Sequence, residues 1–139
     1  MSTENLITDQ VPGAGEYDPP LQRVGYFLSK EHVNFKFRMN VIYHEDLAKK
    51  IVGCIIGATL HLYRGVVEQS YQCPVALLPL CGIPYSEVAQ EILNLTDEEF
   101  DQLCYPENVD FKRVTSRDAA KACYELAQTG GVDWEEIVR

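Results

Sequence analysis

Apolar residues along this chain recur mostly at helical spacing. Behind Pro19 and Pro20, Leu21, Val24, Phe27 and Leu28 repeat every three or four positions. This predicts a first helix from about residue 20 to His32, with proline at its tolerated start. Val33, Phe35, Phe37 and Met39 then alternate with Asn34, Lys36, Arg38 and Asn40, which is the period of a strand. No second strand is evident, so the 33–39 segment either pairs with the edge of a short stretch elsewhere or lies extended against helices.

Glu45 and Asp46 open what reads as the central helix, running to about Tyr63. Leu47, Ile51, Ile55, Ala58 and Leu62 make one stripe, and Val52, Ile56 and Leu60 widen it. A helix apolar nearly all round belongs in the middle of a fold. Gly53 and Gly57 fall four apart on it, a bare strip that lets another backbone approach closely. Residues 65–82 read as irregular, with Pro74 and Pro79 around Val75 to Leu78 and room for one short turn. Further helices are predicted over 85–94, burying Val88, Ala89, Ile92 and Leu93, and from Thr96 to Leu103 or Cys104. The second carries a capping box, Thr96 to Glu99, with Leu95 and Phe100 placed as a hydrophobic staple. Thr115 caps a fifth helix that Gly130 stops. Asp133 with Glu136 caps a short last one holding Trp134, Ile137 and Val138. The expected fold is all-α: five or six short helices around a Gly-containing apolar helix, with one extended stretch over 33–39. Residues 1–18, polar and aperiodic, read as a flexible tail before a single helical domain over 19–139.

Charge changes this picture. Residues 1–64 hold seven Lys/Arg and seven Asp/Glu, and residues 112–139 hold five of each. Residues 65–111 contain no Lys or Arg and nine carboxylates, so the whole net charge of −9 lies there. A field of one sign repels phosphate backbones and attracts basic partners. Direct nucleic-acid binding is therefore not expected, and a basic protein partner is. The candidate docking face is Glu87, Glu91, Asp97, Glu98, Asp101, Glu107 and Asp110, with Tyr85 and Tyr105 beside it. The alternative is a solvated acidic surface that keeps the protein soluble.

Other chemistry is thinner. The start of the chain lacks a basic, then apolar, leader, and the oiliest run, 51–62, is too short for the roughly 20 residues a bilayer needs. A cytoplasmic protein with reduced cysteines and no membrane contact is expected. Cys54 as a nucleophile would need a nearby base. On a continuous helix His61 stands about 10 Å away, and His44 or His32 could approach only through tertiary folding; a cysteine-dependent enzyme using Cys54 with His44 or His61 is the alternative reading. A metal centre would require Cys73, Cys81, Cys104 and Cys123 to converge without any close pair, against the habit of structural zinc sites. No metal, cofactor or catalytic residue is assigned; buried packing is the simpler role for these thiols.

Several segments together resemble a group of small uncharacterised proteins of bacteria and their phages. They are Gly53-Cys54-Ile55-Ile56-Gly57 leading to Leu60-His61-Leu62, Ile92-Leu93-Asn94-Leu95-Thr96, Leu103-Cys104-Tyr105-Pro106, Val114-Thr115 with Ala119-Ala120, and Gly130-Gly131-Val132-Asp133-Trp134. That group has a Cys-Ile-Ala-Gly helix, a Leu-x-Leu-Thr corner and a Gly-x-Val-Asp-Trp ending. Ile56 departs from its alanine, Ala58 from a tryptophan or histidine, and Asn94 from a glycine at the corner. The resemblance covers roughly residues 20 to 135. It implies a helical fold and a phage or bacterial accessory protein, cytoplasmic in the host cell, and brings no catalytic residue with it. A subunit of a larger assembly, using the Gly53/Gly57 strip and the 74–79 segment, is a further reading.

Overall fold

The computed structural model describes residues 19–139; the tail expected over 1–18 lies outside them. Among the described residues there are seven α-helices and three strands, so the fold is α+β and the expectation of an all-α bundle is overturned. The first helix, α1, is Pro20–Leu28. Strands β1 (Phe35–Phe37), β2 (Tyr43–Glu45) and β3 (Ile51–Gly53) follow. They form one mixed sheet of order β1-β3-β2. β3 runs parallel to β1, with Phe35 opposite Ile51, and antiparallel to β2, with Tyr43 opposite Gly53.

The partner missing from the 33–39 stretch is therefore Ile51-Val52-Gly53, the first part of the expected central helix. Three local features end that helix before it starts. Asp46 accepts a hydrogen bond on its side chain from the Lys50 amide, closing a hairpin turn. Lys49 takes a left-handed conformation, φ 62°, which a continuous helix forbids. Ile51 and Val52 are β-branched and prefer the pleated geometry. Leu47, expected in the buried stripe, stands fully exposed at the turn.

The remaining oily segment becomes α2 (Ile55–Leu62), capped by Cys54 in an extended conformation. Ile55, Ile56, Ala58 and Leu60 are completely buried. Each such aliphatic side chain contributes about 1.5–3 kcal/mol of burial. α2 touches all three strands, α1, and two later helices, α4 (Tyr85–Leu93) and α5 (Asp97–Cys104). Between them lie α3 (Arg64–Tyr71), which the irregular reading of 65–82 missed, and a 3₁₀ segment, Val75–Cys81. α6 (Ser116–Thr129) packs along α1, where a side chain on Gly25 would come 3.2 Å from the Cys123 Cβ. A single turn, α7 (Trp134–Ile137), closes the chain.

Gly53 and Gly57 do not share a helix: one ends β3 and the other lies in the first turn of α2. Both face the same object, the carbonyl of Ile42 at the entry to β2. A Cβ on Gly53 would sit 2.8 Å from that oxygen, and one on Gly57 would be closer still.

Aromatic packing fills the space between α1, β1 and α2. The His61 ring lies 5.6 Å from Phe27 and 5.7 Å from Phe35, and Phe27 stacks on His32 at 3.8 Å. Burial, together with the nearby Arg64 and His32, lowers the His61 pKa from 6.5 to about 4. Its Nδ1 is buried without a hydrogen-bond partner.

Two outcomes follow from this packing. Gly57→Ala should lower the unfolding free energy by about 2–3 kcal/mol. Gly65→Ala, where an added methyl meets nothing within 4 Å, should raise it by about 0.5 kcal/mol; urea melts of the two variants read both. His61 has a lower pKa folded than unfolded, so the unfolded chain binds its proton first as pH falls. Its neutral form contributes stability above pH 6.5 that is lost progressively toward pH 4. His61→Phe should remove that part of the pH slope, and urea midpoints that track the wild type across the window would contradict it.

Candidate functional site

An acidic concavity is assembled from α5 and the C-terminal turn of the chain. α5 begins at Thr96, whose hydroxyl accepts from the Glu99 amide while the Glu99 carboxylate accepts from the Thr96 amide. This capping box fixes the helix start and leaves Glu98 and Asp101, three apart, exposed on one face. The helix ends at Tyr105, 41% exposed, and Pro106 turns the chain away. From the other end, Gly130 in a left-handed conformation stops α6 and Asp133 caps α7 by accepting from the Glu136 amide. Gln102 joins the two: its Oε1 accepts from the Val132 amide, and its carbonyl accepts from the Trp134 indole N–H at 2.7 Å.

The result is a groove of about 500 Å³ lined by Glu98, Asp101, Glu107, Asp133 and Glu135, with Gln102, Tyr105, Pro106, Asn108, Val109, Val132 and Trp134 between them. Five carboxylates face it and no Lys, Arg or His does. Asp133 and Glu135 lie outside the acidic stretch of the sequence and were not among the expected residues. Their signal was the Asp133-Trp134 cap, which draws the C-terminal turn back against α5.

The expected seven-residue face divides. Glu98, Asp101 and Glu107 line the groove. Glu87 and Glu91 line a second, smaller concavity of about 310 Å³ with Gln90, Asn94 and Leu95. Asn94 holds the corner between α4 and α5 in the left-handed conformation, φ 55°. Asp97 stands at that corner and accepts from the Gln90 side chain at 2.7 Å. Asp110 is turned to its own backbone, capping the short 3₁₀ turn Phe111–Arg113. Tyr85 is half-buried, its hydroxyl donating to the Ala76 carbonyl and its ring 5.2 Å from Tyr43. Glu68, another of the nine acids, accepts from Arg64 and from the Val75 amide.

Positive charge gathers elsewhere. Lys30, Lys36 and Lys50 line a cavity of about 530 Å³ beside β1 and β3, with Glu31 and Asp46 also lining it. The cationic and anionic concavities share no residue.

The thiols fall into two places. Cys54, Cys104 and Cys123 are buried, and burial pushes each of them up: Cys54 despite hydrogen bonding from the Gly57 and Ile56 backbone, Cys104 well above the ordinary thiol value, Cys123 to about 12. Thiols held protonated are poor nucleophiles. Among the described residues no hydrogen bond joins a histidine to a sulfur: His32 contacts the Phe27 carbonyl, His61 sits among phenylalanines, and His44 is exposed on β2. The Cys54–histidine pairing thus lacks its base. Cys73, also buried, lies 3.0 Å from the exposed Cys81. Among the described residues no group of three or more His, Cys, Asp or Glu is placed to hold a metal ion.

Among the described residues no helix is long and apolar enough to cross a membrane. Compared with known proteins, the chain matches no family model, no curated protein and no solved structure.

Proposed function

We propose that this is a protein-interaction module whose acidic groove takes a Lys/Arg-rich segment of a partner protein. The observation that carries this reading is the composition of the groove: five carboxylates around an aromatic pair, with no cation among the lining residues. Such a concavity focuses negative potential and speeds the encounter with a positively charged chain. Tyr105 offers a ring face to an arriving guanidinium or ammonium group. The same field disfavours a phosphate backbone, so the reading is of a protein partner, and a nucleic-acid-binding protein is one source of so basic a segment. The resemblance to bacterial and phage proteins supports reading such a partner as one met in the bacterial host cell.

Trp134 is the chain's single tryptophan, so its emission reports occupancy of the groove without a label. Titration with a Lys/Arg-rich decapeptide should shift that emission, with an affinity that falls as salt rises. Asp101→Asn with Glu107→Gln, two side chains outside the capping network, should weaken binding about tenfold. Glu87→Gln with Glu91→Gln should change it less than about twofold. An unchanged emission, or equal effects of the two double variants, would reject the groove as the docking site.

A further inference from the structure

Cys73 and Cys81 flank a segment folded back on itself. Leu77 donates to the Pro74 carbonyl and Gly82 to the Pro79 carbonyl, two successive 3₁₀ turns with Pro79 between them. Gly82 finishes the second in a left-handed conformation, φ 77°, where a side chain would be strained. Glu68 secures the first by accepting from the Val75 amide at 2.7 Å, and Tyr85 secures the middle through the Ala76 carbonyl. These restraints hold the two sulfurs 3.0 Å apart. Cys73 is buried like the other three thiols, but it touches the exposed Cys81, so this pair alone joins a buried thiol to an accessible one.

We propose that Cys73 and Cys81 form a redox-active dithiol, oxidised to an intramolecular disulfide by a low-molecular-weight disulfide through thiol–disulfide exchange. The exposed Cys81 thiolate attacks one sulfur of the small disulfide, forming a mixed disulfide and expelling one small thiolate. Cys73, already in contact, loses its proton to solvent and attacks the Cys81 sulfur, expelling the second. Two protein thiols are oxidised and one small disulfide is reduced to two thiols, so electrons and atoms balance. The hydrogen bond with Cys81, and then burial, push the Cys73 thiol up to about 11. Derivatising Cys81 weakens that hydrogen bond and frees Cys73 to ionise for the second step. The product staples the end of α3 to the end of the 3₁₀ segment and fixes the presentation of Leu77 and Leu80, both exposed between the two sulfurs.

The full-length protein, reduced and freed of reductant, is incubated with oxidised and reduced glutathione at graded ratios. It is then alkylated natively, denatured, alkylated with a second reagent and mapped by mass spectrometry. Trypsin leaves residues 65–112 as one peptide because no Lys or Arg interrupts 65–111; chymotryptic cleavage after Leu77 or Leu80 separates the two cysteines. The expected result is a disulfide-linked pair of peptides, lighter by about 2 Da than the reduced pair, with Cys54, Cys104 and Cys123 labelled only after denaturation. Cys73→Ser should instead accumulate a lasting glutathione adduct on Cys81, at least tenfold above wild type. Equal adduct on the wild type and Cys73→Ser, or two free thiols at ratios that oxidise ordinary dithiols, would overturn the proposal.

Discussion

The approach of one carbonyl to two glycines governs the geometry of this fold. The Ile42 oxygen occupies space that a Cβ on Gly53 or Gly57 would take. β3 therefore passes into α2 through a single extended residue, Cys54, while the chain entering β2 crosses directly over the junction. Two further bonds hold the crossing: the Cys54 amide donates to the Val41 carbonyl at 2.7 Å, and the Arg38 amide to the Gly53 carbonyl at 2.9 Å. The first ties the helix start to the loop and the second ties the loop to the sheet. Close-packed interiors leave little room to relax such a contact. The position of α2, and with it the face that receives α1, α4 and α5, depends on a few tenths of an ångström at this point.

The elements legible in the sequence are those specified locally. Thr96 with Glu99, Thr115 with Asp118, Gly130, and Asp133 each satisfy orphan backbone groups within a few residues, so their meaning does not depend on the rest of the fold. Asn94 belongs with them, since asparagine tolerates the left-handed turn that closes α4. The β-hairpin was not legible because two periods coincide there. Leu47, Ile51 and Ile55 lie four apart and mimic a helical stripe, while the strand itself is three residues long and shows one alternation. Lys49 adopts the turn conformation without being glycine, so the usual marker was missing. Once 45–63 was read as one helix, the strand at 35–37 had no possible partner, and one misreading produced the other. α3 escaped for a different reason: only Val67 is buried on it, so its apolar signal is a single residue.

The acidic site was legible in sign and not in shape. Nine carboxylates lie within 65–111, a stretch with no Lys or Arg of its own. Position along a chain does not say which carboxylates are already used. Glu68 and Asp110 hold backbone amides and Asp97 holds Gln90, whereas Glu98, Asp101 and Glu107 remain directed at open space. Nor does it show that α7 returns Asp133 and Glu135 to the same concavity. That return rests on a tertiary contact, the Trp134 indole against the Gln102 carbonyl, which no local pattern encodes.

The separation of charge has a physical consequence for how a partner would arrive. Carboxylates crowded into one groove repel each other, but exposed charges in a high dielectric do so only weakly, on the order of 1 kcal/mol per close pair. The groove is built on helix caps and exposed turns, so its charge is carried at small expense to the core. Meanwhile Lys30, Lys36 and Lys50 gather around the β1 edge, in a concavity that shares nothing with the acidic one. A molecule charged in this way has a dipole as well as a net charge of −9. On the proposed reading, a basic chain would be attracted to the groove and turned by that dipole before contact, and the lysines beside β1 would discourage pairing with other strands.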